Sequence, residues 1–365
     1  MADAGPAAPA IAIGAAHAYF LYDVADTIDL ARLASVAGED VARAPLRLRR
    51  EASSGSIEFE VQPIVARLAP IDGYAIRLKI FDYGVVSVRL TATYEGGWGA
   101  FLSRVRRFRN DGRLLAIATT TIERVLEEVA RALDDPHPAL LEDFFVFEVN
   151  AFEEPVDGES LLAEGARDLA RLMLGEERDV TASETVEALR VAFAYFADDL
   201  AIVGWDTAFV YDDAESANAT LDILEFANTQ LVELRTYDAR LDAELDMIYA
   251  LESKRPTRRF GRKAAQDAAD RLRYLIVDIA ELTDRSTNAL KITGDAYYAR
   301  LYRGAAGRLG LRDWQKQIDA KLATVDEMYR FFTDQAQAAR SEFLEVVVIT
   351  LIAIEIALGL FSLRH

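Results

Sequence analysis

From Val346 to Leu363 the chain reads VVVITLIAIEIALGLFSL, eighteen residues in which only Thr350, Glu355 and Ser362 carry polar side chains. No other stretch constrains the fold as strongly. Twelve of the eighteen are Leu, Ile, Val or Phe. At roughly −0.3 to −0.6 kcal/mol each they outweigh one central acid at about +3 kcal/mol, so insertion into a bilayer stays favourable by a few kcal/mol. The alternative is a helix buried within the protein, but such a helix seldom stays apolar on every face for five turns. The expectation is a C-terminal transmembrane helix over 343–363, with everything before it held by its tail.

Composition narrows the rest. The chain has 365 residues and 52% hydrophobic content, ample for a packed core and for two or three units. A formal charge of −19 argues against a general nucleic-acid binder, because the mean field repels a phosphate backbone. Cysteine is absent, which removes disulfides, thiolate metal sites and Cys nucleophiles. His17, His137 and His365 lie far apart and form no ligand-spaced cluster, which argues against a histidine-based metal site or triad. No cofactor is expected. The opening MADAGPAAPA lacks a basic n-region or transit arginines, and residues 1–10 read as a disordered lead.

Residues 11–212 read as an α+β head with a mainly antiparallel sheet. Ile11 to Leu21 is a buried strand, and Asp26-Thr27 caps a helix carrying Ile28, Leu30, Leu33 and Val36 up to Gly38. Leu46 and Leu48, then Ile57, Phe59 and Val61, alternate with polar residues as strands do. Tyr74 to Phe81 and Val85 to Leu90 are two apolar runs hinged at Asp82-Tyr83-Gly84, a hairpin or bulged strand. Helices are expected around Phe101, Val105 and Phe108, over Leu161 to Leu174 and over Thr185 to Phe196. Phe144 to Val149 is β-like, and Leu200 to Tyr211 is a hairpin turning at Gly204.

After Glu215 the texture changes. Leu224, Leu231 and Leu245 continue one heptad position and Leu234, Leu241 and Ile248 the other, and two further segments repeat the rhythm around Leu272 to Ala289 and Trp314 to Phe332. This predicts a three-helix antiparallel, coiled-coil-like stalk over 213–342, with a compact helical domain as the other reading. A first helix from Glu215 to Glu252 would extend about 55 Å. The turn after it would return beside the point of membrane entry.

That turn holds the first candidate site. Lys254, Arg255, Arg258, Arg259, Arg262 and Lys263 are six basic residues within ten positions of an acidic chain. Against an anionic leaflet each would contribute on the order of 1 kcal/mol. A solvated turn, or an RNA or ribosome contact, would use the same residues. Glu355, mid-span, is a candidate for intramembrane association between copies. Gly96, Gly97 and Gly99 around Trp98 form a possible ligand loop between strand and helix, although a structural turn needs nothing more. Thr283 to Asn288 is a polar cluster on a helix. Asp198-Asp199 and Asp212-Asp213 are adjacent pairs that a strand would point to opposite faces, so neither is a convincing acid–base pair.

Three segments carry a resemblance. SEFLEVVVITLIAIEIAL, FDYGVVSVRL and AHAYFLYDVADTIDLARL resemble the tail, the Gly-Val-Val strand and the first strand and helix of the "required for meiotic nuclear division" family. The resemblance implies a membrane-anchored oligomer without catalytic residues, with a mitochondrial relative that supports organellar translation, and here a bacterial member. Together these features lead to a non-enzymatic, self-associating, tail-anchored scaffold in the bacterial cytoplasmic membrane. Arg330 and Arg340 before the span place its head in the cytoplasm. A membrane-bound enzyme or small-ligand sensor with its site in the head is the alternative.

Overall fold

The computed structural model describes residues 10–33, 48–49, 62–253, 277, 279–280, 296–325, 327, 330, 345, 348–352 and 354. Two compact units divide the chain: Met1–Thr236 with Glu281–Trp314, and Tyr237–Ala280 with Gln315–His365.

The first unit is built on a nine-stranded sheet in the order β2-β3-β4-β5-β1-β6-β9-β8-β7. Its strands are β1 (Ala10–Ile28), β2 (Leu48–Arg49), β3 (Ile64–Ile71), β4 (Tyr74–Ile80), β5 (Val85–Gly97), β6 (Leu133–Phe152), β7 (Ala192–Phe193), β8 (Leu200–Val203) and β9 (Thr207–Tyr211). The sheet is mixed, since β6 and β9 run parallel while every other neighbouring pair is antiparallel. β1 lies at its centre, paired along most of its length with β5 and β6. Pro136 and Pro138 sit in the part of β6 that precedes its pairing with β9 at Phe145, where a missing N–H breaks no ladder on that side.

Two helices after β5, α1 (Trp98–Arg109) and α2 (Gly112–Val129), cover one face of the sheet with α3 (Gly158–Glu164), α4 (Ala166–Leu174) and α5 (Ala182–Ala188). Asp111 caps α2 by accepting from the Arg113 N–H. The buried stripes of these helices meet Ala18, Phe20, Tyr22, Leu78, Val88 and Phe147 in one apolar core. Each fully buried large side chain there contributes about 1.5–3 kcal/mol.

The opposite face is different. Helix α6 (Ala214–Ser253) has Asp213 at its head, whose Oδ1 accepts from the N–H groups of Glu215 and Ser216. From Ala219 to Leu234 every residue is buried. That run includes Thr220, Asp222, Glu225, Asn228, Thr229, Gln230 and Glu233. On a further helix, α7 (Ala296–Arg308), Tyr302 stacks its ring 5.7 Å from Phe226. A coiled-coil seam would leave most of α6 in water, so over these residues the heptad pattern marks one side of a wholly enclosed helix.

Other expectations also shift. The helix after β1 is capped by Asp29 rather than Asp26-Thr27, because pairing with β6 carries β1 on to Ile28. Gly165 divides Leu161 to Leu174 into α3 and α4. The helix expected over Thr185 to Phe196 ends at Ala188, after which Ala192 and Phe193 pair with β8.

The C-terminal expectation is corrected. Within Val346–Leu363 the described residues are helical at 348–352 and 354. A span needs about 20 consecutive apolar helical residues. Among the described residues, no helix is long and apolar enough to cross a membrane. The transmembrane helix, the tail-anchored scaffold and the membrane location that followed from it therefore lack support. Glu355, the basic turn at Lys254, Arg255, Arg258, Arg259, Arg262 and Lys263, and the cluster at 283–288 lie outside the described residues.

Candidate active site

Strand register decides what gathers beneath α6. Residues directly opposite in an antiparallel pair share a face. His17 stands opposite Thr91 and Val146, Tyr19 opposite Arg89 and Phe144, Leu21 opposite Ser87, and Ala15 opposite Glu148. Lys79 on β4 is opposite Ser87, and Arg77 opposite Arg89. A polar stripe thus crosses four strands on the face away from the apolar core.

Two networks form on it. Under α6, the Lys79 Nζ donates to Asp222 Oδ1 at 2.9 Å and to Glu225 Oε2 at 2.5 Å, with all three side chains almost fully enclosed. Burial alone would lower the Lys79 pKa, but the charges of Glu225 and Asp222 outweigh it and the net direction is up. Tyr83 and Thr229 share a hydroxyl hydrogen bond of 3.0 Å, and Arg235 of α6 pairs with Glu142 of β6. This helix is bound to its sheet by charges.

Further along the stripe lies a relay. His17 Nε2 is 2.6 Å from Glu148 Oε2, and His17 Nδ1 is 2.9 Å from Thr91 Oγ1. Asn150 Nδ2 donates to the other carboxylate oxygen, Oε1, at 2.6 Å. Burial lowers the His17 pKa despite the hydrogen bond to Glu148, so the ring is neutral. Burial would raise Glu148, but the hydrogen bonds donated by His17 and Asn150 and the positive charge of Arg89 bring it below the usual range. One tautomer satisfies all of this. Nε2–H donates to a charged carboxylate, and the Nδ1 lone pair accepts the Thr91 hydroxyl proton. Hydroxyl, imidazole, carboxylate and orienting amide form one continuous chain.

Arg89 flanks it. Its Nη1 donates to the Tyr19 hydroxyl at 3.2 Å and its guanidinium lies 5.7 Å from that ring centre, while its Nε is buried with no acceptor among the described residues. Burial, opposed by Arg89, pushes the Tyr19 phenol up to about 12, so Tyr19 stays neutral.

Exposure is graded along these strands. On β5, Ser87 is buried, Arg89 and Thr91 are half-buried and Thr93 is exposed; on β4, Lys79 is buried, Arg77 half-buried and Ala75, opposite Thr91, exposed. Thr91 therefore sits at the margin, with its base enclosed behind it. That is the disposition a nucleophile needs.

The residues singled out in the sequence fall elsewhere. Gly96 and Gly97 end β5, Gly97 precedes the first turn of α1, and a Cβ at Gly97 or Gly99 would meet nothing within 4 Å. They make a strand-to-helix turn. The β8–β9 hairpin pairs Leu200 with Tyr211, which brings Asp199 and Asp212 together from pairs distant in sequence. Burial, reinforced by Asp199, Asp213 and Asp198, pushes the Asp212 carboxyl up to about 7. The folded state then holds a proton that the unfolded chain releases near pH 4. Stability is thus expected to fall as pH rises from about 4 to about 7. Asp212→Asn should flatten that part of a denaturation-midpoint profile. Among the described residues, no group of three or more His, Asp or Glu side chains is placed to hold a metal.

No local spacing in the sequence marks the relay, because it pairs one histidine with a carboxylate 131 residues away. A signal was present. Ser87, Arg89 and Thr91 alternate with Val86, Val88 and Leu90 on β5, and His17 and Glu148 each interrupt an apolar run, Ala15 to Leu21 and Phe144 to Val149.

A family model described as "Uncharacterized protein MJ0711, N-terminal domain" matches residues 13–217. The uncharacterized protein MJ0711 of Methanocaldococcus jannaschii is 25% identical over 210 residues, which cover 57% of this chain and 64% of that protein. The match thus spans less than two thirds of the relative's length. No solved structure matches. These findings replace the "required for meiotic nuclear division" resemblance, for which the comparisons give no indication.

Proposed function

This chain belongs to the MJ0711 N-terminal domain family, and we propose that Thr91, His17 and Glu148, all within the family-matched residues, form an acyl-transfer site. The single observation that carries the reading is the unbroken chain from the Thr91 hydroxyl through a neutral imidazole to an anchored carboxylate. In the first step Thr91 Oγ bonds to the carbonyl carbon of an ester or thioester while its proton passes to His17 Nδ1. Glu148 stabilises the imidazolium. The tetrahedral oxyanion lies toward the Arg89 guanidinium, whose Nε has no other acceptor among the described residues. Collapse breaks the bond to the leaving group, which takes the proton from His17. Water, deprotonated by the same nitrogen, then releases the acid and restores Thr91.

Stopped-flow hydrolysis of p-nitrophenyl acetate tests this. The expected result is a burst of about one nitrophenolate per chain, absent in Thr91→Val, with turnover reduced about 100-fold or more. Thr91→Ser should keep the burst. Activity should hold as pH falls below the usual imidazole range, because burial keeps His17 neutral there. A Thr91→Val variant that turns over at the original rate, or no burst in the unmodified chain, would overturn the proposal. A relay that only braced β1 against β5 and β6 would lose stability in these variants with no burst to lose.

A further inference from the structure

On the opposite face of the sheet, we propose that the cleft between the α1–α2 turn and strands β1 and β6 binds a small alkylammonium ion, its apolar tail inward and its charge on Asp143. The cleft has a volume of about 260 Å³. At a liquid share of about 30 Å³ per water it has room for about nine waters, or a short organic molecule in their place. Phe20, Leu141 and Phe145 of the strands and Leu114 and Leu115 of α2 give it apolar walls. Register places Asp143 among them, opposite Phe20 and two residues from both Leu141 and Phe145.

The other charged groups at the cleft are committed. Arg109 binds Asp206 at 2.5 Å and the Met173 carbonyl at 3.1 Å, and Asp111 holds Arg113 and the Tyr74 hydroxyl. Asp143 is the carboxylate left for a ligand, since no cation lies within ion-pair distance of it among the described residues. As a residue Asp143 is exposed, but burial of its carboxyl, with the charge of Asp206 adding and that of Arg109 opposing, holds it above the usual range. An ammonium group with a short hydrocarbon tail matches apolar walls, one carboxylate with no ion-pair partner among the described residues, and limited volume. A carboxylate ligand would meet Asp143 and be repelled.

Calorimetric titration of the full chain with hexylamine, hexan-1-ol and hexanoate tests the assignment. Hexylamine is expected to bind about tenfold or more tighter than hexan-1-ol, since the difference is one charge-assisted hydrogen bond. Hexanoate should be weakest. Asp143→Asn should abolish the preference for the amine while leaving the alcohol unchanged, and Leu115→Lys, which places an ammonium on the cleft wall, should compete with it. Equal affinity for amine and alcohol, a preference that survives Asp143→Asn, or no saturable amine binding would overturn the proposal. Both positions are exposed, so neither variant removes core packing.

Discussion

Lys79→Met is expected to destabilise the first unit by about 3–5 kcal/mol, because it leaves Asp222 and Glu225 as two enclosed carboxylates with their shared cation gone. Lys79, Asp222 and Glu225 are 5%, 8% and 6% exposed, so water cannot replace the lost partner. Chemical denaturation would measure this as a lower midpoint with an unchanged slope. The triple change Lys79→Met, Asp222→Leu, Glu225→Met should recover most of the loss, since well-packed apolar replacements of a buried ion cluster are often neutral or stabilising. A single variant as stable as the original chain would mean that α6 does not rest on this cluster.

Gly84→Ala is expected to be at least as damaging, about 4 kcal/mol or more, by a backbone mechanism. Gly84 adopts φ +88°, and an added Cβ would stand 1.7 Å from the Ala25 carbonyl oxygen. That oxygen belongs to the central strand, which also receives the turn directly: Val24 N–H donates to the Gly84 carbonyl and Ile28 N–H to the Asp82 carbonyl. Relief of the clash would pull the β4–β5 turn away from β1. Gly73→Ala provides the comparison. Its φ is +83° but nothing lies within 4 Å, so only the conformational cost of about 1 kcal/mol should appear.

The strands were legible and their partners were not. The apolar runs at Ile11 to Leu21, Phe144 to Val149 and Leu200 to Tyr211, and the hinge at Asp82-Tyr83-Gly84, correspond to described strands and turns because period and turn residues are local properties. Register is not local. Nothing near His17 in sequence indicates that β5 brings Thr91 and β6 brings Glu148 to it. The same gap separates the reading of α6 from its environment: Leu224, Leu231 and Leu234 announce one apolar side, but enclosure of Asp222, Glu225 and Gln230 depends on Lys79 and on packing by other parts of the unit. The apolar tail misled for a related reason. Hydropathy scores composition, and a spanning helix is a structural object.

The most direct measurement for the central claim is peptide mapping by mass spectrometry of the full chain quenched during the p-nitrophenyl acetate burst. The account predicts an acetyl group on Thr91, absent after Thr91→Val and lost with time as water restores the hydroxyl. Acetylation confined to lysine side chains, with Thr91 unmodified throughout, would contradict it.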